Sequence, residues 1–405
     1  MPLVFVHGVN NRKEDPGYDV RIGLTQRFFD QHLAGVLIGG KPLGSTTATF
    51  PYWGDLATQF PWDMAGIPPM DGNQALGSVQ PDMRVIVAML HDRLGDLASG
   101  QDQPLATLAK RSLPDAVALI TDLLLLETAA QDADVTAAFI AEAQSYAEAH
   151  PYPVWLPSVT TDQQFIGQLI ASVKASGSGG LDALGSPFAK IGNWIGAGAA
   201  KLKGEVKKAV GTVVDRVGDY ASTQTLAWAR RPLNATLGRF FGDVFAYLDH
   251  RGTRQSPGPI PQRILASLDA ARAAAPGEPL VIVGHSLGGV ITFDLFSHFR
   301  PDVQVDLFVS VGSQISHFEE MKRFRTSDPT IPSTAVPRAP CPANIKRWLN
   351  IFDPVDIFSY ACRPVFDNVI DYAYDTRTYT IKAHGAYFDQ KRLYERLRER
   401  INQLP

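Results

Sequence analysis

The sequence predicts an α/β protein with a doubly wound, mostly parallel sheet and a large helical insertion. Short apolar runs of strand length alternate with helix-type patterns in two separate parts of the 405-residue chain. The part between them is rich in Ala and Leu at helical spacing and is broken by Pro, Gly and Ser. We therefore predict a sheet-containing core formed by residues 1–55 and 237–405, and a helical cap or lid formed by residues 56–236.

The core elements can be assigned in chain order from their apolar periodicity. The run LVFV at 3–6 predicts a buried strand, residues 18–34 have helical spacing, and TATFPYW at 47–53 predicts a second strand. After the insertion, strand and helix patterns alternate again, as a parallel sheet requires. The predicted helices are 237–249, 261–275, 288–299 and 386–402, and the predicted strands are 280–283, 305–311, 345–352 and 376–383.

The composition excludes several classes of function. A formal net charge of −3 gives no general basic surface of the kind that binds nucleic acid through its phosphates. The two cysteines, Cys341 and Cys362, form neither a paired metal motif nor a disulfide framework, and no His-Glu-x-x-His pair is present. We therefore expect no metal and no cofactor. Without an export signal or a long apolar stretch, we expect a cytoplasmic protein whose membrane contact, if any, is peripheral.

The stretch VIVGHSLGGVITF at 281–293 contains the most informative motif of the chain, a Gly-x-Ser-x-Gly sequence around Ser286. An apolar strand precedes the serine and a helix follows it, and this strand–turn–helix arrangement lifts a serine hydroxyl clear of a sheet. Gly284 and Gly288 suit a turn that leaves no room for side chains beside the serine. The backbone amide of Leu287, at the start of the helix, would face a developing oxyanion.

A serine becomes a strong nucleophile only when a base takes its proton, so a histidine and an orienting carboxylate are needed. The segment IKRWLNIFDPVDIFSY predicts a strand followed by Asp353 and Asp356, and TYTIKAHGAYF predicts a strand that ends at His384. Serine, aspartate and histidine then occur in the order expected when all three follow strands of one parallel sheet. From position alone, either aspartate could be the acid.

These motifs resemble those of the α/β-hydrolase fold lipases and esterases, over residues 1–55 and 237–405. The resemblance implies ester hydrolysis by Ser286, and it implies that Gly8 and Val9 in VFVHG supply the second oxyanion amide beside that of Leu287. The segment NIFDPVDIFSY is also similar to the acid-bearing segment of intracellular phospholipases with a DDHD domain, in which the second aspartate matches. It therefore favours Asp356, with Asp353 as the alternative acid. The chain departs from the family in beginning at what would be its third strand and in lacking an HGGG-type motif.

Two further histidines lie close to these motifs. The residue before a nucleophile points away from it, so we interpret His285 as a packing residue rather than the base. We interpret His7 as a structural bridge that orients the oxyanion loop.

Residues 187–218 predict one or two amphipathic helices with a basic polar face. Six basic residues stand against two acidic ones between positions 188 and 217. Such a segment could be a lid that faces an anionic lipid surface, or a helix that packs its apolar stripe on the enzyme body. The candidate lipid-facing residues are Phe188, Ile191, Trp194, Ile195 and Leu202.

The sequence thus predicts a serine hydrolase of carboxylic esters, with phospholipids or acylglycerols as the leading substrates and peripheral membrane contact through residues 187–218. Two alternatives stay open: a hydrolase of soluble esters or thioesters, and a non-catalytic interaction module that keeps the fold. The insertion could also be a partner surface or a regulatory element, so a protein partner is a further expectation.

Overall fold

A computed structural model of the chain describes residues 2–15, 17–43, 48–62, 64–65, 103–127, 132–176, 190–197, 237–378 and 380–404. It contains a five-stranded sheet in which every neighbouring pair of strands is parallel and the spatial order follows the chain. The strands are β1 (Leu3–Val6), β2 (Val281–His285), β3 (Leu307–Val311), β4 (Trp348–Phe352) and β5 (Val369–Ala373). The predicted α/β class with a parallel sheet is confirmed.

Helices cover both faces of this sheet, and β1 shows why its sequence is apolar throughout. Val4 and Val6 belong to a buried cluster that includes Ile291. The intervening Phe5 points to the opposite face, where its ring lies 4.8 Å from that of Phe388. Since side chains alternate along a strand, a strand buried on both faces needs apolar residues at every position.

The helices are numbered in chain order. They are α1 (Tyr18–Phe28), α2 (Pro104–Arg111), α3 (Leu113–Glu127), α4 (Ala133–Ala149), α5 (Asp162–Ser176), α6 (residues 190–197), α7 (residues 237–250), α8 (Pro259–Ala274), α9 (Leu287–Asp294), α10 (Ile315–Glu320), α11 (Thr380–Ala386) and α12 (Lys391–Asn402). Single π-helical turns extend α1 to Leu33 and α9 to Phe299. Among the described residues, none of the helices is both long and apolar enough to cross a membrane.

Two predicted strands are wrong. Residues 48–53 form only an isolated parallel bridge between Thr49 and Val4, after which Pro51 removes a donor that a strand would need. The last strand lies at Val369–Ala373 rather than 376–383, and His384 stands in α11. The N–H and hydroxyl of Thr376 both bind the carboxylate of Asp353, each at 2.7 Å, so this segment is turned away from the ladder. The terminal helix also begins later than predicted, at residue 391.

The chain forms two compact units. The first comprises Met1–Lys13, Thr25–Thr58 and Arg239–Pro405, and it contains the sheet; the second comprises Glu14–Leu24 and Gln59–Gly238. In the second unit, α2 to α5 pack on one another around buried residues such as Leu105, Phe139 and Phe165.

Helix α6 belongs to the candidate lid, and its apolar side chains are enclosed. Ile191 and Ile195 are fully buried, and Gly192 lies against Ile166 and Ile170 of α5. Trp194 is half-buried. In this conformation Ile191 and Ile195, which were predicted to face lipid, are instead packed against the protein. Phe188 and Leu202 lie outside the described residues.

Candidate active site

Ser286 occupies a sharp turn between β2 and α9, with φ 54° and ψ −129°. A residue other than glycine seldom has a positive φ, and such strain costs about 1–3 kcal/mol. Its backbone is held by a hydrogen bond from its N–H to the carbonyl of Val311, at 3.0 Å. The turn is further fixed by Gly288, where an added Cβ would lie 2.1 Å from the carbonyl oxygen of Val6. The sequence prediction of a tight turn without room for side chains agrees with this packing.

The structure brings Ser286, His384 and Asp356 into one hydrogen-bonded chain. The Nε2 atom of His384 lies 2.7 Å from the Oγ of Ser286, and its Nδ1 lies 2.9 Å from Oδ2 of Asp356. Ser286 and Asp356 are buried, at 0% and 3% exposure. Since a carboxylate accepts only, Nδ1 holds the proton of the neutral ring, which leaves the lone pair of Nε2 directed at the serine hydroxyl.

The two candidate acids differ completely in their surroundings. Asp353 accepts hydrogen bonds from the N–H of Val355 with one oxygen, and from both donors of Thr376 with the other. Its carboxylate is therefore occupied by the backbone of its own loop and by the segment after β5. Asp356 is the aspartate that meets His384.

Tyr387 completes the environment of Asp356 and was not singled out from the sequence. Its hydroxyl donates to Oδ2 of Asp356 at 3.0 Å and accepts the N–H of Asp353 at 2.9 Å. Burial and then the negative charge of Asp356 raise the pKa of Tyr387 far above its ordinary value, so it stays protonated. No local pattern indicated its role, because residues 376–383 alternate as a strand does and Tyr387 lies just beyond the end of α11 at Ala386.

The backbone of Gly8 runs directly beside the serine, where an added Cβ would lie 2.4 Å from the Cβ of Ser286. Val9 follows it and is buried. Leu287 begins α9, and the first N–H groups of a helix have no acceptor within that helix. Of the predicted oxyanion residues, Gly8 therefore lies against the serine side chain, Val9 follows Gly8, and Leu287 follows Ser286 in the chain.

His7 holds the start of the oxyanion loop, residues 7–12, against Trp53. The centroids of the two stacked rings lie 4.8 Å apart. The backbone N–H of Trp53 donates to Nε2 of His7, and Nδ1 of His7 donates to the carbonyl of Gly8. Burial lowers the pKa of His7 to about 4, so the ring is neutral, as one donor and one acceptor nitrogen require.

Asp243 of α7 clamps the rest of the loop and was also missed by sequence reasoning. This fully buried carboxylate accepts the N–H of Asn10 at 2.9 Å, the guanidinium of Arg12 at 2.7 and 3.2 Å, and the N–H of Thr58 at 3.1 Å. The clamp joins Asp243 to residues at least 185 positions away, so no local pattern could predict it.

His285 does not reach the serine. Its Nε2 donates to the backbone carbonyl of His384 at 2.8 Å, which ties β2 to α11. Desolvation, followed by the charge of His384, lowers the pKa of His285 to about 3. The neutral His285 is therefore a support for His384.

An apolar wall stands next to His384. The rings of Phe240 and Phe358 stack at 4.4 Å, and their centroids lie 6.3 and 5.1 Å from that of His384. Four more apolar side chains of α7 and of the Asp356 loop are about half exposed, and we call them the apolar rim. The rim consists of Phe241, Phe245, Val355 and Ile357.

A cavity of about 690 Å³ opens at the amino ends of the strands, near Leu280 and Asp306, whereas Ser286 follows the carboxyl end of β2. Ligands of open parallel sheets bind at the carboxyl ends. Within the ranges described above, no group of His, Cys, Asp and Glu side chains could hold a metal ion.

Comparison with known proteins places the central part of the chain in a known fold. A family model described as the alpha/beta hydrolase fold matches residues 243–339, roughly a quarter of the chain. This stretch includes Ser286 and ends before Asp356 and His384. No curated protein and no solved structure matches the chain. The parallel sheet with helices on both faces and this match together show that the chain has the α/β-hydrolase fold, and they support a hydrolase of that general class.

Proposed function

We propose that the protein is a serine hydrolase that cleaves carboxylic esters through an acyl-enzyme. The observation that supports this most directly is the hydrogen-bonded chain from Ser286 through His384 to Asp356, with contacts of 2.7 and 2.9 Å. A buried serine at a strained turn, a histidine in the correct tautomer and a buried carboxylate are the three parts that serine activation needs.

In the proposed reaction, Oγ of Ser286 attacks the ester carbonyl carbon while Nε2 of His384 takes its proton. Asp356 stabilises the imidazolium that forms. The N–H groups of Leu287 and of the Gly8–Val9 segment hold the oxyanion, and each such donor is worth about 3 kcal/mol of barrier. His384 then returns the proton to the departing alcohol oxygen, and a water activated by His384 releases the acid.

For the substrate class we propose lipid esters, either phospholipid or acylglycerol. The wall formed by Phe240 and Phe358 beside His384 offers an acyl or alkyl chain an apolar surface. Phe241 of the rim contacts Phe240 of this wall, with ring centroids 5.5 Å apart, and the half-exposed rim supplies the exposed apolar side chains that peripheral contact with a lipid surface requires. Peripheral contact of a cytoplasmic enzyme with a membrane is part of the same proposal.

The first test is the intact mass of the protein after reaction with an alkyl fluorophosphonate, compared with that of Ser286→Ala. We expect a single adduct on the wild type and none on the variant, because only an activated serine displaces the fluoride. The reaction is repeated with vesicles of phosphatidylcholine and phosphatidylglycerol. A folded wild type that gives no adduct under either condition would contradict the proposal and favour a non-catalytic interaction module.

The substrate class is tested with the double variant Phe241→Ser, Phe245→Ser, whose exposed positions tolerate polar residues. We expect slower hydrolysis of vesicle lipids and an unchanged rate on a short soluble ester. The matched control is Val336→Ser, an exposed apolar residue in the loop between α10 and β4. Equal losses on both substrates, or no loss on either, would contradict a lipid-facing rim and favour a soluble ester or thioester.

A further inference from the structure

The carboxylate of Asp356 receives more hydrogen bonds than a Ser–His–Asp chain requires. Besides His384, the N–H of Phe358 donates to Oδ1 at 2.9 Å and the hydroxyl of Tyr387 donates to Oδ2 at 3.0 Å. Nδ1 of His384 lies nearer to Oδ2 of Asp356 than to Oδ1, at 2.9 against 3.2 Å, so His384 and Tyr387 share Oδ2 and compete for its negative charge.

The direction of the Tyr387 hydroxyl is fixed by its second contact. A phenol has one hydrogen to donate, and the N–H of Asp353 occupies an acceptor position of the same oxygen at 2.9 Å. Since a carboxylate oxygen can only accept, the hydrogen at the contact with Oδ2 of Asp356 comes from Tyr387. Burial of the phenol keeps this hydrogen in place, since it raises the pKa of Tyr387 far above neutrality.

The ring of Tyr387 is fixed as well. It is fully buried, and its Cε2 would lie 2.8 Å from a Cβ added to Gly312, whose φ is +58°. Only glycine leaves space for the ring at this point, which also suits the positive φ. Both ends of the side chain are thus held so that the hydroxyl meets Oδ2 of Asp356.

From this geometry we propose that Tyr387 is a positioning residue that tunes the proton affinity of His384 through Asp356. The inference rests on the proposed function of the Ser–His–Asp chain. A donor on Oδ2 withdraws charge from the oxygen that faces His384, so the carboxylate attracts the imidazolium less strongly. His384 is then free to act as a base at lower pH than it would be without Tyr387.

The titratable groups that lie against His384 or Asp356 come from three elements. Asp356 comes from the loop after β4, His285 from the end of β2, and Tyr387 follows α11. Phe240 and Phe358 contribute apolar rings only. His285 stays neutral over the working range because its pKa is lowered to about 3, so Asp356 is the charged partner through which a change at residue 387 would act.

The test compares Tyr387→Phe with Tyr394→Phe on a soluble ester. Both tyrosines are fully buried, and the hydroxyl of Tyr394 donates to the carbonyl of Phe388. We expect Tyr387→Phe to move the acidic limb of the kcat/KM profile to higher pH by about one pH unit, and to lower the plateau of kcat several-fold. For Tyr394→Phe we expect the wild-type profile.

A purely structural role for Tyr387 would lower the rate without moving the limb, and that result would overturn the inference. If Tyr387→Phe does not fold, Tyr387→4-aminophenylalanine keeps the ring and a donor, and a wild-type profile is expected. A displaced limb in that folded variant would equally overturn the inference. Labelling of wild-type Ser286 separates the two proposals, because an unlabelled and inactive wild type contradicts the proposed function itself.

Discussion

The serine and histidine halves of the candidate site are held together by different means. The serine half comprises β1, residues 7–12, β2 and α9; the histidine half comprises β4, residues 353–360, β5 and α11. Around Ser286, backbone segments approach so closely that Gly8 and Gly288 have no space for a Cβ. Around His384, the geometry is fixed by the hydrogen bond that its Nδ1 donates to Asp356 and by the one that its backbone carbonyl accepts from His285. The glycines that permit the backbone packing can be recognised in the sequence, whereas the partners of the side-chain hydrogen bonds cannot.

The largest expected effect separates the two aspartates of the histidine half. Asp356→Asn should lower kcat about ten-thousand-fold with the fold retained, because an amide cannot hold His384 in the required tautomer and charge state. Asp353→Asn should instead lower the free energy of unfolding by about 1–3 kcal/mol, since it weakens the buried contact with Thr376.

Steady-state kinetics and urea unfolding of both variants measure this difference. We expect kcat of Asp353→Asn to stay within about tenfold of the wild-type value, because this carboxylate does not contact His384. A greater loss of kcat for Asp353→Asn than for Asp356→Asn would reverse the assignment of the acid.

The second effect compares a glycine from each half. The Cβ of Gly288→Ala would meet the backbone of Val6, which is paired in the sheet and cannot move aside, so we expect a loss of at least about 3 kcal/mol. Gly385 in α11 has open space around it, and Gly385→Ala should gain about 0.5–1 kcal/mol from helix propensity.

Urea unfolding followed by circular dichroism gives both values. Similar small changes in the free energy of unfolding of the two variants would show that backbone packing does not distinguish the serine half from the histidine half.

These differences explain which features could be predicted from the sequence. The β2–turn–α9 segment is local, so its glycines, its apolar strand and Ser286 identify it without the rest of the chain. The pattern TYTIKAH alternates as a strand does, yet the contact of Thr376 with Asp353 turns the chain and His384 enters a helix. Tertiary contacts here override the local pattern.

The choice between the two aspartates shows the same limit. Both follow β4 within four residues, and both are buried carboxylates. The partners that distinguish them, Thr376 and His384, come from a segment whose path the sequence did not predict. Tyr387 and Asp243 were missed for this reason, since each acts through a contact that exists only in the folded chain.

The third and smallest effect asks whether backbone packing alone holds the serine half, as its glycines suggest. Its oxyanion loop depends on Asp243 of α7, which accepts the N–H of Asn10 and the guanidinium of Arg12. Asp243→Asn replaces one acceptor oxygen by a donor and removes the charge that pairs with Arg12. The loop then shifts by a fraction of an ångström, and we expect about a tenfold fall in kcat with little change in KM, since the oxyanion forms only during the reaction.

The control for this variant is Asp269→Asn, which loses an exposed ion pair with Arg300 of the kind that contributes less than about 1 kcal/mol. It should leave kcat unchanged. Labelling by the fluorophosphonate should be slowed in Asp243→Asn by a similar factor, because attack on phosphorus builds charge on an oxygen in the same position.

A wild-type kcat in Asp243→Asn would mean that the close approach of Gly8 to Ser286 positions the oxyanion donors without help from α7. The serine half would then be held by backbone packing throughout, and the contrast with the histidine half would be sharper than the hydrogen bonds of Asp243 indicate.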